Sequence, residues 1–254
     1  MSQKIYHKLL DRKKLGIKTF AVLIDPDKVN ESSCIKLVNA CIENHVELLL
    51  VGGSLLTTNN FHPIIQLIKH NCQIPLVIFP GHSMHLDPKA DGILFLSLIS
   101  GRNPDFLIGQ HVVAAPMLKK SNLEILPTGY LLIDSGKNTT AAYISNTTPI
   151  PHNKPSVAAC TAMAGEMLGL KLIYLDAGSG AKRQVSTKMI SLVSKCIDAP
   201  LLVGGGINSL PKAVQALDSG ADILVMGNGI EKEPGLLIDV AENIFARNQA
   251  LNIH

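Results

Sequence analysis

The sequence predicts an α/β fold, a (β/α)8 TIM barrel modified by an irregular or shortened crossover after its third strand. Two observations carry this. Eight short apolar runs alternate with helical patterns along one chain. The last two runs also end in glycine-rich turns, GGGIN at 204–208 and GNG at 227–229, where such barrels often bind a phosphate. A doubly wound open sheet, the runner-up, would not usually place a phosphate motif after both of its last two strands. The 254 residues, 46% of them hydrophobic, suffice for one large core, so a single barrel domain over 1–254 is expected, with a helix before strand one.

The opening MSQKIYHKLLDRKKLG reads as an amphipathic helix, with charges throughout that a signal peptide lacks. Thr19 to Ile24 is the first buried strand and runs into Asp25-Pro26-Asp27-Lys28, where proline stops the ladder and acids appear. Helical spacing in Ile35, Leu37, Val38, Cys41 and Ile42 marks a helix over Ser32 to Asn44. Glu47 to Val51 is the second strand, ending in Gly52-Gly53-Ser54. A helix from Pro63 to Asn71 and a strand from Pro75 to Phe79 follow, closed by Pro80-Gly81-His82. Only HSMHLDPKADG separates this strand from the fourth, Ile93 to Leu96, which leaves room for an irregular loop or one helical turn.

Pro104 to Ala115 is a helix that Pro116 should stop. Gly129 to Ile133 is strand five, and Asn138 to Pro155, rich in Thr, Asn and Pro, leads to a helix over Ser156 to Gly169 whose Ala158, Ala162 and Gly165 let it lie close to the sheet. Leu172 to Leu175 is strand six, with Asp176 at its end. Gln184 to Ile197 is a helix, Leu201 to Val203 strand seven, Leu210 to Asp218 a helix and Ile223 to Met226 strand eight. A last helix covers Pro234 to Asn248.

Charge and cysteine usage narrow the function classes. Lys and Arg number 23 against 20 Asp and Glu, so no broad basic field for nucleic acid is implied, while a phosphorylated small molecule remains compatible. The five cysteines, Cys34, Cys41, Cys72, Cys160 and Cys196, show no CxxC spacing and speak against a disulfide framework or zinc site, hence for the reducing cytoplasm. No uninterrupted apolar run reaches the length of about 18 residues that a membrane span needs.

Chemistry-bearing residues gather after the strands. Asp176 with Gly178, Ser179 and Gly180 sets an acid beside a turn whose N–H groups can converge on an anion, although a capping acid in a tight turn has the same pattern. Gly205, Gly206, Gly227 and Asn228 fit a phosphate cradle at strands seven and eight. Asp25, Asp27 and Ser54 follow strands one and two, neighbours in a barrel, where a carboxylate and a hydroxyl could share a magnesium ion with substrate oxygens. On spacing alone Asp25 suits a turn as well as a ligand.

Together, IDPDK at 24–28, VGGS at 51–54, PTGYLLIDSG at 127–136, YLDAGSGA at 174–181, VGGGI at 203–207 and MGNGIE at 226–231 resemble the geranylgeranylglyceryl phosphate synthase family over nearly the whole chain. The resemblance implies a modified TIM barrel that joins the hydroxyl of sn-glycerol 1-phosphate to an all-trans prenyl diphosphate, with Mg2+ required. It makes Asp25 and Ser54 the magnesium contacts. It assigns Tyr174, Leu175, Asp176, Ala177, Gly178, Ser179, Gly180, Gly205, Gly206, Gly227 and Asn228 to glycerol 1-phosphate, with Asp176 as the base. Two departures stand out. Many members carry Glu at the position of Asp176, and some carry Lys where this chain has Leu23, which places it nearer the branch without that lysine.

On this reading the allylic C–O bond weakens as the glycerol hydroxyl attacks carbon one, and an apolar groove keeps water away. Small residues such as Ala158, Ala162 and Gly165 would leave room for the chain, and they suit ordinary packing equally. A twenty-carbon chain, a homo-oligomer of two or more copies and a transient contact with a membrane surface are expected from the same resemblance. The rival classes are an isomerase or aldolase on the same fold and a barrel that binds phosphometabolites without catalysis. An aldolase of this type needs a Schiff-base lysine at a strand end, whereas Lys137 and Lys182 lie beyond theirs.

Overall fold

Apolar runs of four to six residues with no wet face have to be covered on both sides, and parallel strands with helical crossovers achieve this. In the computed structural model, which describes residues 4–251, these runs become β1 (Thr19–Ile24), β2 (Leu48–Gly52), β3 (Leu76–Phe79), β4 (Gly92–Ser97), β5 (Glu124–Leu132), β6 (Leu172–Asp176), β7 (Leu201–Gly204) and β8 (Ile223–Met226). All pair in parallel and in chain order. β1 closes on β8 from Thr19 opposite Ile223 to Val22 opposite Met226. The described fold is therefore a closed (β/α)8 barrel. Residues 1–3, where the expected first helix begins, lie outside the described residues, as do 252–254.

The helices are α1 (Lys4–Lys14), α2 (Glu31–Glu43), α3 (Phe61–Asn71), α4 (Gln110–Lys120), α5 (Thr140–Ser145), α6 (Pro155–Met167), α7 (Thr187–Cys196), α8 (Leu210–Asp218), α9 (Asn228–Lys232) and α10 (Gly235–Leu251). Alternation along the strands makes two cores. Ala21, Leu50, Val77, Leu94 and Leu202 fill the barrel, while Val22, Leu49, Ile78, Ile173 and Val203 pack outward against the helices. Among the described residues no helix is long and apolar enough to cross a membrane.

The crossover after β3 is irregular, as expected. Pro80 to Asp91 forms turns held by their own side chains: the N–H of Gly81 donates to His85 Nδ1 (3.2 Å), that of Met84 to His82 Nδ1 (3.2 Å) and that of Lys89 to Asp87 Oδ1 (2.8 Å). Three boundaries differ from the sequence expectation. Pro116 does not stop its helix, which opens on a π-helical turn at Asp105–Gly109 and runs on to Lys120. The carbonyl of Val112 has no donor in a proline four residues on, and this stretch of the helix is the wet one, with Val112, Val113 and Met117 exposed. β5 begins five residues before Gly129, at Glu124, and tolerates Pro127 because the side on which its N–H is missing lies ahead of Leu172, the first residue of β6, while its carbonyl accepts the N–H of Lys171 (2.8 Å). The segment at 138–155, to which the sequence assigned no element, contains α5, capped by the Thr139 hydroxyl on the N–H of Ala142 (3.3 Å).

At the amino end of the barrel, α1 inserts Ile5 and Leu9 into the inner core. The buried Glu124 carboxylate accepts the N–H groups of Ile5 (2.8 Å) and Tyr6 (2.7 Å), which have no carbonyl partner in the first turn of a helix. We expect Glu124→Gln, which replaces one acceptor oxygen by a donor, to lower the unfolding free energy by about 1–3 kcal/mol. Urea denaturation measures this, and an unchanged midpoint would mean that α1 docks through Ile5 and Leu9 alone.

Candidate active site

Strand alternation decides which side chains reach the interior. In β6 the inward set begins with Leu172 and Tyr174, so Asp176, two residues on, faces inward at the strand's carboxyl end. A cavity of about 400 Å3 opens there. Of the residues expected at the substrate and metal sites, it is lined by Asp25, Ser54, Tyr174, Asp176, Gly178, Ser179, Gly180, Gly205, Gly206, Gly227 and Asn228. Leu175 and Ala177 are not among them. Their side chains are buried in the layer between sheet and helices, and the N–H of Ala177 is taken by the carbonyl of Gly204 at 3.1 Å.

Asp176 is 6% exposed. Its Oδ1 accepts the N–H of Gly178 at 2.7 Å and its Oδ2 the hydroxyl of Tyr130 at 2.8 Å. Burial pushes its carboxyl above the usual carboxylate range, and these two neutral donors draw it part of the way back. Two glycines make room for the arrangement. A Cβ on Gly204 would lie 2.6 Å from the Tyr174 hydroxyl, and one on Gly205, at φ +79°, would lie 2.5 Å from Asp176 Oδ1. The product is an acid of raised proton affinity on the wall of the cavity, the property a general base at neutral pH needs.

Beside it, Ser179, Gly180 and Gly206 carry backbone N–H groups that no backbone carbonyl of the described residues takes. All three residues line the cavity, where free backbone donors suit an anion. Lys137 adds a positive charge, its Nζ standing 3.3 Å from where a Cβ on Gly180 would be. The amide of Asn228 donates to Ser179 Oγ at 3.0 Å and so ties the turn after β8 to the turn after β6.

Asp25 and Asp27 divide their work. Asp27 is engaged by the N–H and hydroxyl groups of both Thr57 and Thr58 and fastens the loop after β2. Asp25 lines the cavity, its Oδ1 accepting the N–H of Asp27 at 3.1 Å and its Oδ2 standing 3.0 Å from Lys28 Nζ. Lys28 also donates to Asn228 Oδ1 (2.9 Å) and lies 3.6 Å from Glu231. Burial raises the Glu231 carboxyl above its ordinary range, and Lys28 offsets part of that. Asp25 and Ser54 offer hard oxygen donors without sulfur or imidazole. Among the described residues no cluster of three or more His, Cys, Asp or Glu forms a closed metal cage. Magnesium characteristically takes one or two carboxylates and completes its shell with water and phosphate oxygens, so these residues fit it.

A second, apolar cavity of about 110 Å3 shares Gly53, Ser54 and Phe79 with the first. The helix-free third crossover forms one wall through Pro80, Gly81, His82, Ser83 and Leu86, and α4 with α5 forms the other through His111, Ala114, Leu118 and Ile144. Tyr130 lies between the two cavities. Ala158, Ala162 and Gly165 line neither of them. They pack α6 in the outer core, with Gly165 against Ile99, Leu170 and Ile173.

Sequence reasoning did not single out Tyr130, Lys28, Glu231 or Lys137 for these positions. Tyr130 had a signal: it lies in PTGYLLIDSG two residues before Leu132, hence on the inward face of β5, and pairs in register with Tyr174.

The PcrB family matches residues 12–245. A geranylgeranylglyceryl phosphate synthase of Spirosoma linguale is 55% identical over 243 residues, 96% of this chain and 98% of the relative. One of Chitinophaga pinensis is 52% identical over 246 residues, 97% of this chain and 98% of the relative. Among solved structures, the (S)-3-O-geranylgeranylglyceryl phosphate synthase of Thermoplasma acidophilum in complex with sn-glycerol-1-phosphate aligns with a TM-score of 0.89 at 29% identity, covering 96% of this chain and 99% of that one. Since the family match takes in all eight strands and both cavities, the chain belongs to the PcrB family.

Proposed function

We propose that this chain is a prenyltransferase that joins the hydroxyl of sn-glycerol 1-phosphate to an all-trans prenyl diphosphate, geranylgeranyl diphosphate by default. The observation that carries the reading is the shared wall at Gly53, Ser54 and Phe79, which sets an anion-binding cavity end to end with an apolar groove. One small polar substrate and one long apolar one with a charged head suit such a pair. Relatives of the same family at more than half identity bear the corresponding name.

In this reading the turns at Ser179, Gly180, Gly206 and Asn228 hold the glycerol phosphate, with Tyr174 beneath it. Asp176 accepts the proton of the attacking hydroxyl as the new C–O bond forms at carbon one, and the bond to the diphosphate oxygen breaks, releasing diphosphate. Asp25 and Ser54 would hold magnesium, which when bound supplies positive charge for the leaving diphosphate. Lys28 and Lys232, also on the cavity, stand in for the cation absent at Leu23. The groove keeps water from the allylic centre.

Three outcomes follow for variants. Asp176→Asn retains hydrogen bonding, because its carbonyl can accept from Gly178 while its amide donates to a rotated Tyr130 hydroxyl. Turnover should nonetheless fall by roughly 10²–10⁴-fold, the usual worth of a positioned base, with glycerol phosphate affinity by calorimetry little changed. Near-normal turnover would return Asp176 to a turn cap.

The same variant should melt higher than the parent at neutral pH. A carboxyl whose folded pKa is raised gives stability that is present below its unfolded value and lost as pH rises through the folded one, and Asn removes that loss. Calorimetric melting at acidic and neutral pH tests the sign. Asp25→Ala should abolish turnover while glycerol phosphate binding survives, because the two substrates use different loops; an active variant would overturn the metal assignment.

A further inference from the structure

We propose that Tyr130 is the positioning residue of the proton acceptor: its phenol fixes the orientation of the Asp176 carboxylate and leaves the remaining lone pairs to the incoming hydroxyl. The inference rests on the reading of Asp176 as the base and adds a residue that this reading does not require.

A carboxylate at a strand end can rotate about its last bond unless both oxygens are held. Here both are, by Gly178 N–H at 2.7 Å on Oδ1 and Tyr130 O–H at 2.8 Å on Oδ2. Each oxygen has a further lone-pair direction, so a held carboxylate can still accept a proton. The backbone donor comes with the turn itself. The phenol comes from a different strand, 46 residues away in sequence.

The phenol is held as firmly as the acid. Tyr130 is 8% exposed, its ring stands edge-on to Tyr174 at 5.5 Å and 83°, and it meets Phe79 at 6.0 Å and 60°. The ring therefore has no free arc in which to swing its hydroxyl away. Burial, and then the charge of Asp176, push the phenol well above its ordinary pKa, so it remains a donor at any working pH. Tyr130 thus keeps its own proton throughout. In the transfer step the glycerol hydroxyl's proton goes to Asp176, the hydroxyl oxygen bonds to carbon one, and the diphosphate leaves with the electron pair of the broken bond. Tyr130 is a positioning residue in that scheme, because it touches Asp176 and exchanges nothing with the substrate.

Tyr130→Phe removes the hydroxyl and keeps the ring. Its turnover at neutral pH should fall roughly ten-fold with glycerol phosphate affinity held within about three-fold, and the acidic limb of the kcat profile should move up by about one pH unit, since a donor that favours the ionised carboxylate is gone. Incorporation of 3-fluorotyrosine at position 130, a more acidic phenol and a stronger donor, should move the same limb down without disturbing the packing. In the Asp176→Asn background, Tyr130→Phe should cost less than about two-fold, because residues that act through one another are not additive. An unmoved acidic limb in both Tyr130 variants, or equal losses in the two backgrounds, would overturn the proposal and leave Tyr130 as a wall of the groove. Near-normal turnover of Asp176→Asn is a different result and would remove the base itself.

Discussion

A carboxylate almost wholly removed from water has to be hydrogen-bonded by whatever surrounds it, and much of this site follows from that need at Asp176. The chain meets it by turning back after β6 so that the N–H of Gly178 reaches Oδ1. That turn leaves the next two N–H groups, of Ser179 and Gly180, without a backbone carbonyl among the described residues, at the wall of the cavity. The acid and the anion cradle are thus two results of one backbone reversal. The reversal is possible only because Gly205, just after β7, leaves no side chain in its way: a Cβ there would lie 2.6 Å from the Gly178 nitrogen.

A second balance runs across the seam where the barrel closes. Asp25 and Glu231 are like charges on the same cavity, and Lys28 lies within 3.0 Å of one and 3.6 Å of the other. Lys28 also holds Asn228, which holds Ser179, so a continuous polar chain joins the loop after β1 to the turns after β8 and β6. The neighbouring Asp27 gives only its N–H to Asp25. Its four donors from Thr57 and Thr58 make it a fastener for the loop that bears the apolar groove's shared wall.

The barrel was legible because its signals are local: apolar runs bounded by glycine, and two phosphate turns at the right strands. The irregular third crossover was legible for the same reason, as too few residues separate β3 from β4 to fold otherwise. Local rules failed where a neighbour decides. Pro127 sits in a strand because only its carbonyl is needed by the chain entering β6, and Pro116 sits in a helix on a face where Val112, Val113 and Met117 are exposed. Within the site, each residue of the glycine turns could be placed by its own motif. For Tyr130 the motif gives the inward face of β5 but not the partner, which is fixed by the register between β5 and β6. Likewise, nothing in DPD tells which of two acids two residues apart will pair with Lys28 and which will bind threonines.

The pairing of β1 with β8 has a bearing on how the molecule comes into being. Residues 19–22 leave the ribosome some two hundred positions ahead of their partners at 223–226, the longest-range ladder in the barrel. Closing so distant a contact is an entropically costly step and is expected late in folding. The Lys28 bridge to Asn228 spans the same seam, so a nascent chain with seven strands already made still has no complete site. Until translation nears its end, the half-built barrel exposes two unpaired strand edges, the condition under which chains of this size most need a chaperone.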